Sequence, residues 1–309
     1  AIDYAVDLQR GEVGKEFFAE IMKKQSNAVK VSVIIPCYKG ERFIAACLEN
    51  VLRQAYQMKL EVIVVIDGDL DRSASIAKAY PVKVIVLKEN QGLSAARNIG
   101  LEAATGEYVH FMDVDDKVNS EFYANMAVAL SGTEADIACA GMINDRKPYK
   151  SQIFHKIKEY TTPRGKLSVT WVAKWGYVWR YVFRRSFLIE NNLKFEVGRF
   201  IEDRYFSFAA LYFARKVITV PGANYTYRCT DGSVMNKKDL KWKKKLKEDY
   251  KHSKELISNF ASSHNVSAPG LPWNLGILLY IFRKYYIVTM SHIFKEYYYN
   301  PLSARYVRY

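Results

Sequence analysis

From Val31 to Asp116 the chain repeats one rhythm: a short β-branched run, a turn, an amphipathic stretch, then another β-branched run. Val31-Ser-Val-Ile-Ile35 is apolar and is expected to close at Pro36. In residues 41–54, Phe43, Ile44, Cys47, Leu48, Val51 and Leu52 recur at helical spacing. Residues 61–66, 82–87 and 107–112 read as further buried strands, and 72–80 and 93–104 as the intervening helices. This alternation predicts a mostly parallel sheet covered on both faces. Ligands bind such sheets beyond the carboxyl ends of the strands. Three of the four strands end in segments of chemical interest: Pro36-Cys37-Tyr38, Asp67-Gly68-Asp69 and Asp113-Val114-Asp115-Asp116.

Beyond residue 132 the rhythm weakens. Residues 171–187 are aromatic and basic, 199–214 read as a helix beginning near Glu202, and 216–228 as a strand pair around Pro221-Gly222. Trp171 and Trp175 are expected in the core. Lys237, Lys238, Lys241, Lys243, Lys244, Lys245, Lys247, Lys251 and Lys254 then form a basic, helix-like segment. A Pro269-Gly-Leu-Pro272 break and an aromatic stretch follow. The expected organisation is a helical segment at 1–30, a main domain at 31–235 with halves at about 31–130 and 131–235, and a helical, basic and aromatic extension at 236–309.

The 309 residues are half hydrophobic, enough for a sizeable core, and carry a formal charge of +14. Such a surplus favours polyanionic partners, whether diphosphates, lipid headgroups, acidic glycans or nucleic acid. No zinc-finger, RNP or KH pattern accompanies it, so nucleic acid is not expected. Cys37, Cys47, Cys139 and Cys229 are scattered, which disfavours a disulfide framework or structural zinc and suits a reducing cytoplasm. No apolar run reaches the roughly 18–20 residues of a membrane span, and the N-terminal residues lack a signal-peptide centre.

The cluster at Asp113, Asp115 and Asp116 is costly to assemble without a cation. Oxygen ligands at a strand's carboxyl end suit Mg²⁺ or Mn²⁺ bridging to a substrate diphosphate. Gln91-Gly92-Leu93-Ser94 precedes a helix start, where glycine admits close backbone approach and free N–H groups face an anion. His110 is expected to be a satisfied core histidine.

Five motifs stand in order: Val31-Ser-Val-Ile-Ile-Pro-Cys-Tyr38, Asp67-Gly-Asp-Leu-Asp71, Glu89-Asn-Gln-Gly-Leu-Ser-Ala-Ala-Arg-Asn-Ile-Gly100, Phe111-Met-Asp-Val-Asp-Asp116 and Glu202-Asp203. Together they resemble family 2 glycosyltransferases of the GT-A fold, over about 31–233. The resemblance implies an α/β nucleotide-sugar-binding domain whose nucleoside rests near Pro36 and Tyr38. Asp67 would accept from a base N–H, with a lean to UDP; the family often shows two adjacent acids here, whereas Ile66 fills the first position. The alternative for Asp67 and Asp71 is a turn plus a helix cap near Arg72.

Gly92 borders the nucleotide, and Arg97 either braces an acid or contacts substrate. Asp115 contacts the metal, Asp113 the ribose or a metal-bound water, and Asp116 is a supporting or alternative ligand. Asp203 is the general base, beside Glu202 on the acceptor side. Trp179 either stacks on the acceptor sugar or packs in the core, and Arg228 meets the diphosphate. The implied reaction is an inverting, metal-dependent transfer from a nucleotide-sugar donor to a glycan or lipid-linked saccharide in bacterial surface polysaccharide synthesis. The setting is the cytoplasm, with peripheral contact to the anionic inner face of the cell membrane and scope for a homo-oligomer. The basic extension either docks there or packs on the catalytic domain or a second copy. Two rivals fit less well: a sugar-phosphate nucleotidyltransferase needs a Gly-rich basic loop after the first strand, and a purely binding module leaves the carboxylates unexplained.

Overall fold

The computed structural model describes residues 30–55, 58–173, 175–228, 239–264 and 266. The expectations for residues 1–29, for Cys229 and for the aromatic stretch beyond 266 lie outside the described residues.

β1 (Lys30–Cys37), β2 (Lys59–Ile66), β3 (Lys83–Val86) and β4 (Tyr108–Phe111) alternate with α1 (Ile44–Leu52), α2 (Ser73–Ala77) and α3 (Leu93–Ala103). The strands pair in parallel, β1 centrally between β2 and β4. Side-chain alternation on β1 sends Val31, Val33, Ile35 and Cys37 to one face, against Ile44, Cys47, Leu48, Val51 and Leu52 of α1. Those five positions of α1 follow the i, i+3, i+4, i+7, i+8 pattern of a helix burying one stripe. Ile34 turns to the other face, with Ala96 of α3.

Pro36 does not end β1. It lies inside the ladder opposite Val65, and Cys37 continues the strand. The missing N–H costs nothing, because residues 34 and 36 face the same neighbour and β4 stops opposite Ile34.

The second half comprises β5 (Lys117–Val118), α4 (Phe122–Thr133), β6 (Ile137–Asn144), β7 (Lys158–Tyr160), α5 (Pro163–Ser168), β8 (Tyr181–Arg184), α6 (Arg185–Glu190), α7 (Glu202–Phe213), β9 (Val217–Tyr227) and α8 (Leu240–Ser263). The sheet runs β3-β2-β1-β4-β8-β6-β9-β5, with β7 also on β9. The strands of the first half are parallel, as expected, and antiparallel pairs enter with the second half. β8 is antiparallel to β4 and β6, and β9 is antiparallel to β5 and β7. The sheet is therefore mixed, parallel where crossover helices connect the strands and antiparallel where the chain returns.

Residues 216–228 do not form a hairpin. β9 is one strand parallel to β6, with Val220 opposite Ala140 and Asn224 opposite Gly141. Pro221, Gly222 and Ala223 are thereby squeezed into a bulge.

α8 packs on α7. Ile257, Phe260 and Ala261 are buried, and the Phe260 ring meets Phe208, Tyr212 and Phe213 at centroid distances of 5.1–5.9 Å. The first helix of the basic extension thus belongs to the same compact unit, which ends at Val266. Among the described residues no helix is long and apolar enough to cross a membrane.

Candidate active site

The carboxyl ends of β1, β2 and β4 converge as the motifs require. Tyr38, just past β1, is 47% exposed. Asp67, just past β2, is buried. Its Oδ1 accepts from the Gln91 N–H (2.7 Å), and its Oδ2 from the Gly92 N–H and Asn90 Nδ2 (2.9 Å each). Three donors on one carboxylate commit Asp67 to shaping the 90–92 loop. Gly92 has φ +91°, which L side chains rarely adopt, and it delivers the chain into α3. Asp71 accepts from the Ser73 and Glu41 N–H groups, and so holds the start of α2.

Beyond β4, Asp113 and Asp115 are half-exposed. Asp116 is not placed as a ligand. It is buried, accepting from the Tyr225 hydroxyl (2.8 Å) and the Arg228 N–H (2.7 Å). Burial first, then the Asp113 and Asp115 carboxylates, push its pKa well above the ordinary range. The Tyr225 hydroxyl also accepts from the Asp113 N–H (3.2 Å), so one phenol from β9 ties down both ends of the carboxylate loop. Sequence reasoning missed Tyr225. Its only signal was position, three residues before Arg228. Arg228 is fixed by its backbone at the end of β9.

Arg97 is 2% exposed and lies between two acids. Nη2 donates to Asp113 Oδ1 (2.8 Å) and Nη1 to Glu202 Oε1 (2.6 Å), while the guanidinium sits over the Phe195 ring. The bracing alternative therefore describes it. Arg97 joins the loop after β4 to the start of α7.

Glu202 and Asp203 open α7, preceded by Ile201 at φ +63°. A β-branched residue in that region is strained by about 1–3 kcal/mol and persists only where its surroundings enforce it. The approach of Ala173 and Gly176 supplies part of that enforcement. Arg204 donates to the Ala173 carbonyl and Ser207 to the Gly176 carbonyl, and a Cβ on Gly176 would run into the Arg204 backbone. Asp203 has its pKa pushed up to about 8. Burial is the chief cause, Glu202 and Asp113 add to it, and Arg97 and a hydrogen bond with the Val178 backbone oppose it. A carboxyl poised near neutrality suits proton abstraction from an alcohol.

Trp179 is core. It is 3% exposed, stacked against Tyr225 (4.3 Å) and Tyr177 (4.9 Å). Long-range partners from β9 cover the ring faces that were to receive a sugar. The half-buried rings on this side are Trp175, Tyr177 and Tyr227. Trp171, expected in the core, is 61% exposed. His110 is the satisfied core histidine anticipated: Nε2 donates to the Trp179 carbonyl (2.7 Å), leaving Nδ1 to accept from the Tyr123 hydroxyl (3.0 Å). Burial lowers its pKa to about 4.

Among the described residues no three His, Cys, Asp or Glu side chains are grouped to hold a metal by themselves. Asp113 and Asp115 offer two hard carboxylates beside the nucleotide end of the sheet. That donor set fits Mg²⁺ or Mn²⁺ completing its shell with phosphate oxygens and water, rather than an ion caged by protein alone.

A nucleotide-type sheet, a carboxylate loop past its fourth strand and an acid pair on a later helix together define the GT-A class. Residues 32–198, more than half of the chain, match the family described as Glycosyl transferase family 2, and the chain belongs to it. The uncharacterized glycosyltransferase EpsJ of Bacillus subtilis is 34% identical over 216 residues, covering 66% of this chain and 62% of EpsJ. The chain thus spans less than two thirds of that relative. EpsH of the same organism is 30% identical over 246 residues, 76% of this chain and 70% of EpsH. Among solved structures, residues 1–349 of Staphylococcus aureus TarS, in complex with UDP-GlcNAc, share the fold. The TM-score is 0.61 at 22% identity, over 76% of this chain and 72% of that one.

Proposed function

We propose that the protein transfers a sugar, with inversion, from a UDP-sugar to a hydroxyl of a glycan or lipid-linked saccharide in bacterial surface polysaccharide synthesis. One observation carries the reading: buried Arg97 pairs with Asp113 on one side and Glu202 on the other, setting the carboxylate loop and the acid pair into one site. The shared fold of TarS, solved with UDP-GlcNAc, supports the choice of nucleotide.

Asp203 takes the proton of the acceptor hydroxyl. The acceptor oxygen bonds to the anomeric carbon from the face opposite the nucleotide. The bond from that carbon to the diphosphate oxygen breaks, and its electron pair leaves with UDP. Glu202, paired to Arg97, holds the start of α7 in place. Asp113 and Asp115 would hold Mg²⁺ or Mn²⁺, which supplies charge neutralisation to the leaving diphosphate. The exposed lysines of α8, among them Lys241, Lys244, Lys247 and Lys251, support peripheral contact with an anionic inner membrane face, where a lipid-linked acceptor would reside.

The test is UDP release from a panel of UDP-sugars, led by UDP-GlcNAc, with and without Mn²⁺. One donor is expected to turn over with Mn²⁺, and Asp115→Ala to abolish that turnover. Equal release by the wild type and Asp115→Ala would defeat the reading.

A further inference from the structure

The residues just before the acid pair are held by α8, a helix from outside the family-matched region. Asp249, in the middle of its lysine run, is 1% exposed. Its Oδ2 accepts from the Phe200 N–H (2.9 Å) and Lys245 Nζ (3.0 Å), and its Oδ1 from Arg199 Nη1 (3.0 Å). Lys245 also donates to the Gly198 carbonyl (3.1 Å). Trp242 packs on Phe200 with ring centroids 4.2 Å apart, and His252 pairs with Glu196 at 3.0 Å. Apart from the Lys245–Asp249 pair within α8, every one of these contacts falls on residues 196–200. The next residue is Ile201, in its left-handed conformation, and after it come Glu202 and Asp203.

We propose that Asp249 is a positioning residue for the acid pair: by fixing the Arg199–Phe200 backbone it forces the left-handed turn at Ile201 that aims Asp203 into the site. This rests on reading Asp203 as the base. Two features argue for positioning over simple attachment of α8. Attachment is already provided by the apolar seam of Ile257, Phe260 and Ala261, two to three turns further on. A buried carboxylate surrounded by a backbone N–H and two cations is directional where an apolar seam is not. The clamp also explains why this run of lysines contains an acid at that point. Burial works to raise the Asp249 pKa, and the Phe200 N–H, Lys245 and Arg199 outweigh it and hold it low. The carboxylate therefore stays charged, and the clamp closed, through the neutral range.

The experiment is a double-mutant cycle on the full chain, read as UDP release from the donor found in the panel, with UDP titration in Mn²⁺ as a control for folding. Asp249→Asn keeps shape and removes charge. It is expected to lower kcat about 10- to 100-fold, the scale of a misplaced catalytic group, with UDP affinity unchanged. In an Asp203→Asn background the same substitution is expected to cost nothing further, because the group it positions is gone. A kcat within about two-fold of wild type, or an equal loss in both backgrounds, overturns the proposal. Should Asp249→Asn fail to fold, Arg199→Gln removes one half-exposed partner of the clamp and enters the same cycle. If Asp203→Asn alone leaves turnover intact, the base assignment falls instead, a result distinguishable from failure of the clamp.

Discussion

The two halves of the site are built by different means. On the nucleotide side, Asp67, Asp71 and Asp116 are held chiefly by backbone N–H groups of loops leaving regular strands. On the acceptor side, the acid pair is held by side chains that arrive from far along the chain, Arg97 from α3 and Asp249 from α8, while Arg204 beside it reaches across to the Ala173 carbonyl. Backbone holding requires only that the strands form. Side-chain holding requires several distant elements to dock correctly, and here it supports a strained residue as well. A site divided in this way places its tolerance to mutation on the donor side and its vulnerability on the base side.

Breaking the link between the halves is expected to have the largest effect. Arg97→Met keeps an unbranched apolar stem but strands Asp113 and Glu202 without their buried cation. The expected cost is about 3–5 kcal/mol in urea denaturation. A loss below about 1 kcal/mol would mean that the two halves stand independently.

The pH dependence tests the acceptor half alone. Asp203 is pushed up to about 8 in the folded protein, against about 3.9 for an ordinary aspartate. Folding therefore disfavours its ionised form, and its contribution to stability falls as pH rises from about 4 to about 8. Asp203→Asn lacks that loss, so its stability relative to wild type is expected to rise across the same window in thermal melts. Wild-type turnover is expected to increase toward pH 8 as the base ionises. A turnover profile already flat from pH 5 would remove Asp203 from that role.

The smallest effect compares one isoleucine from each half. Ile34, fully buried in β1, is ordinary core, and Ile34→Gly is expected to cost at least the 2–5 kcal/mol of an isoleucine truncation. Ile201→Gly loses a half-buried side chain but relieves the left-handed strain, and is expected to fall within about 1 kcal/mol of wild type in the same denaturation assay. Equal costs would mean that Ile201 stores no strain.

The same division governs what was legible in the sequence. β1, β2 and β4 announce themselves because a strand buried on both faces must be a nearly unbroken apolar run, whereas β3, expected to be buried, lies at the sheet edge with Lys83 and Val86 exposed. The acids at the strand ends follow from that placement. Trp179 could be read as platform or core because the β9 rings that stack on it, Tyr225 and Tyr227, are brought there by the register of β9 on β6. Pro221-Gly222 looks like a hairpin turn locally, and becomes a bulge only because β6 offers a continuous partner. Asp249 left one weak signal, an acid four residues after Lys245, and Glu248 beside it carries the same charge. Nothing nearby in sequence pointed to Phe200.

The bulge in β9 gives this protein an adjustable joint. Val217–Val220 lock the strand to the core of the sheet, whereas Asn224–Tyr227 carry the phenol that ties down the carboxylate loop. Three residues of slack separate the two jobs. Lengthening or shortening that slack would slide Tyr225 and Arg228 together along the donor site while the hydrophobic ladder stays in register. A change of length at this point would re-aim the carboxylate loop and leave the buried ladder of Val217–Val220 in place.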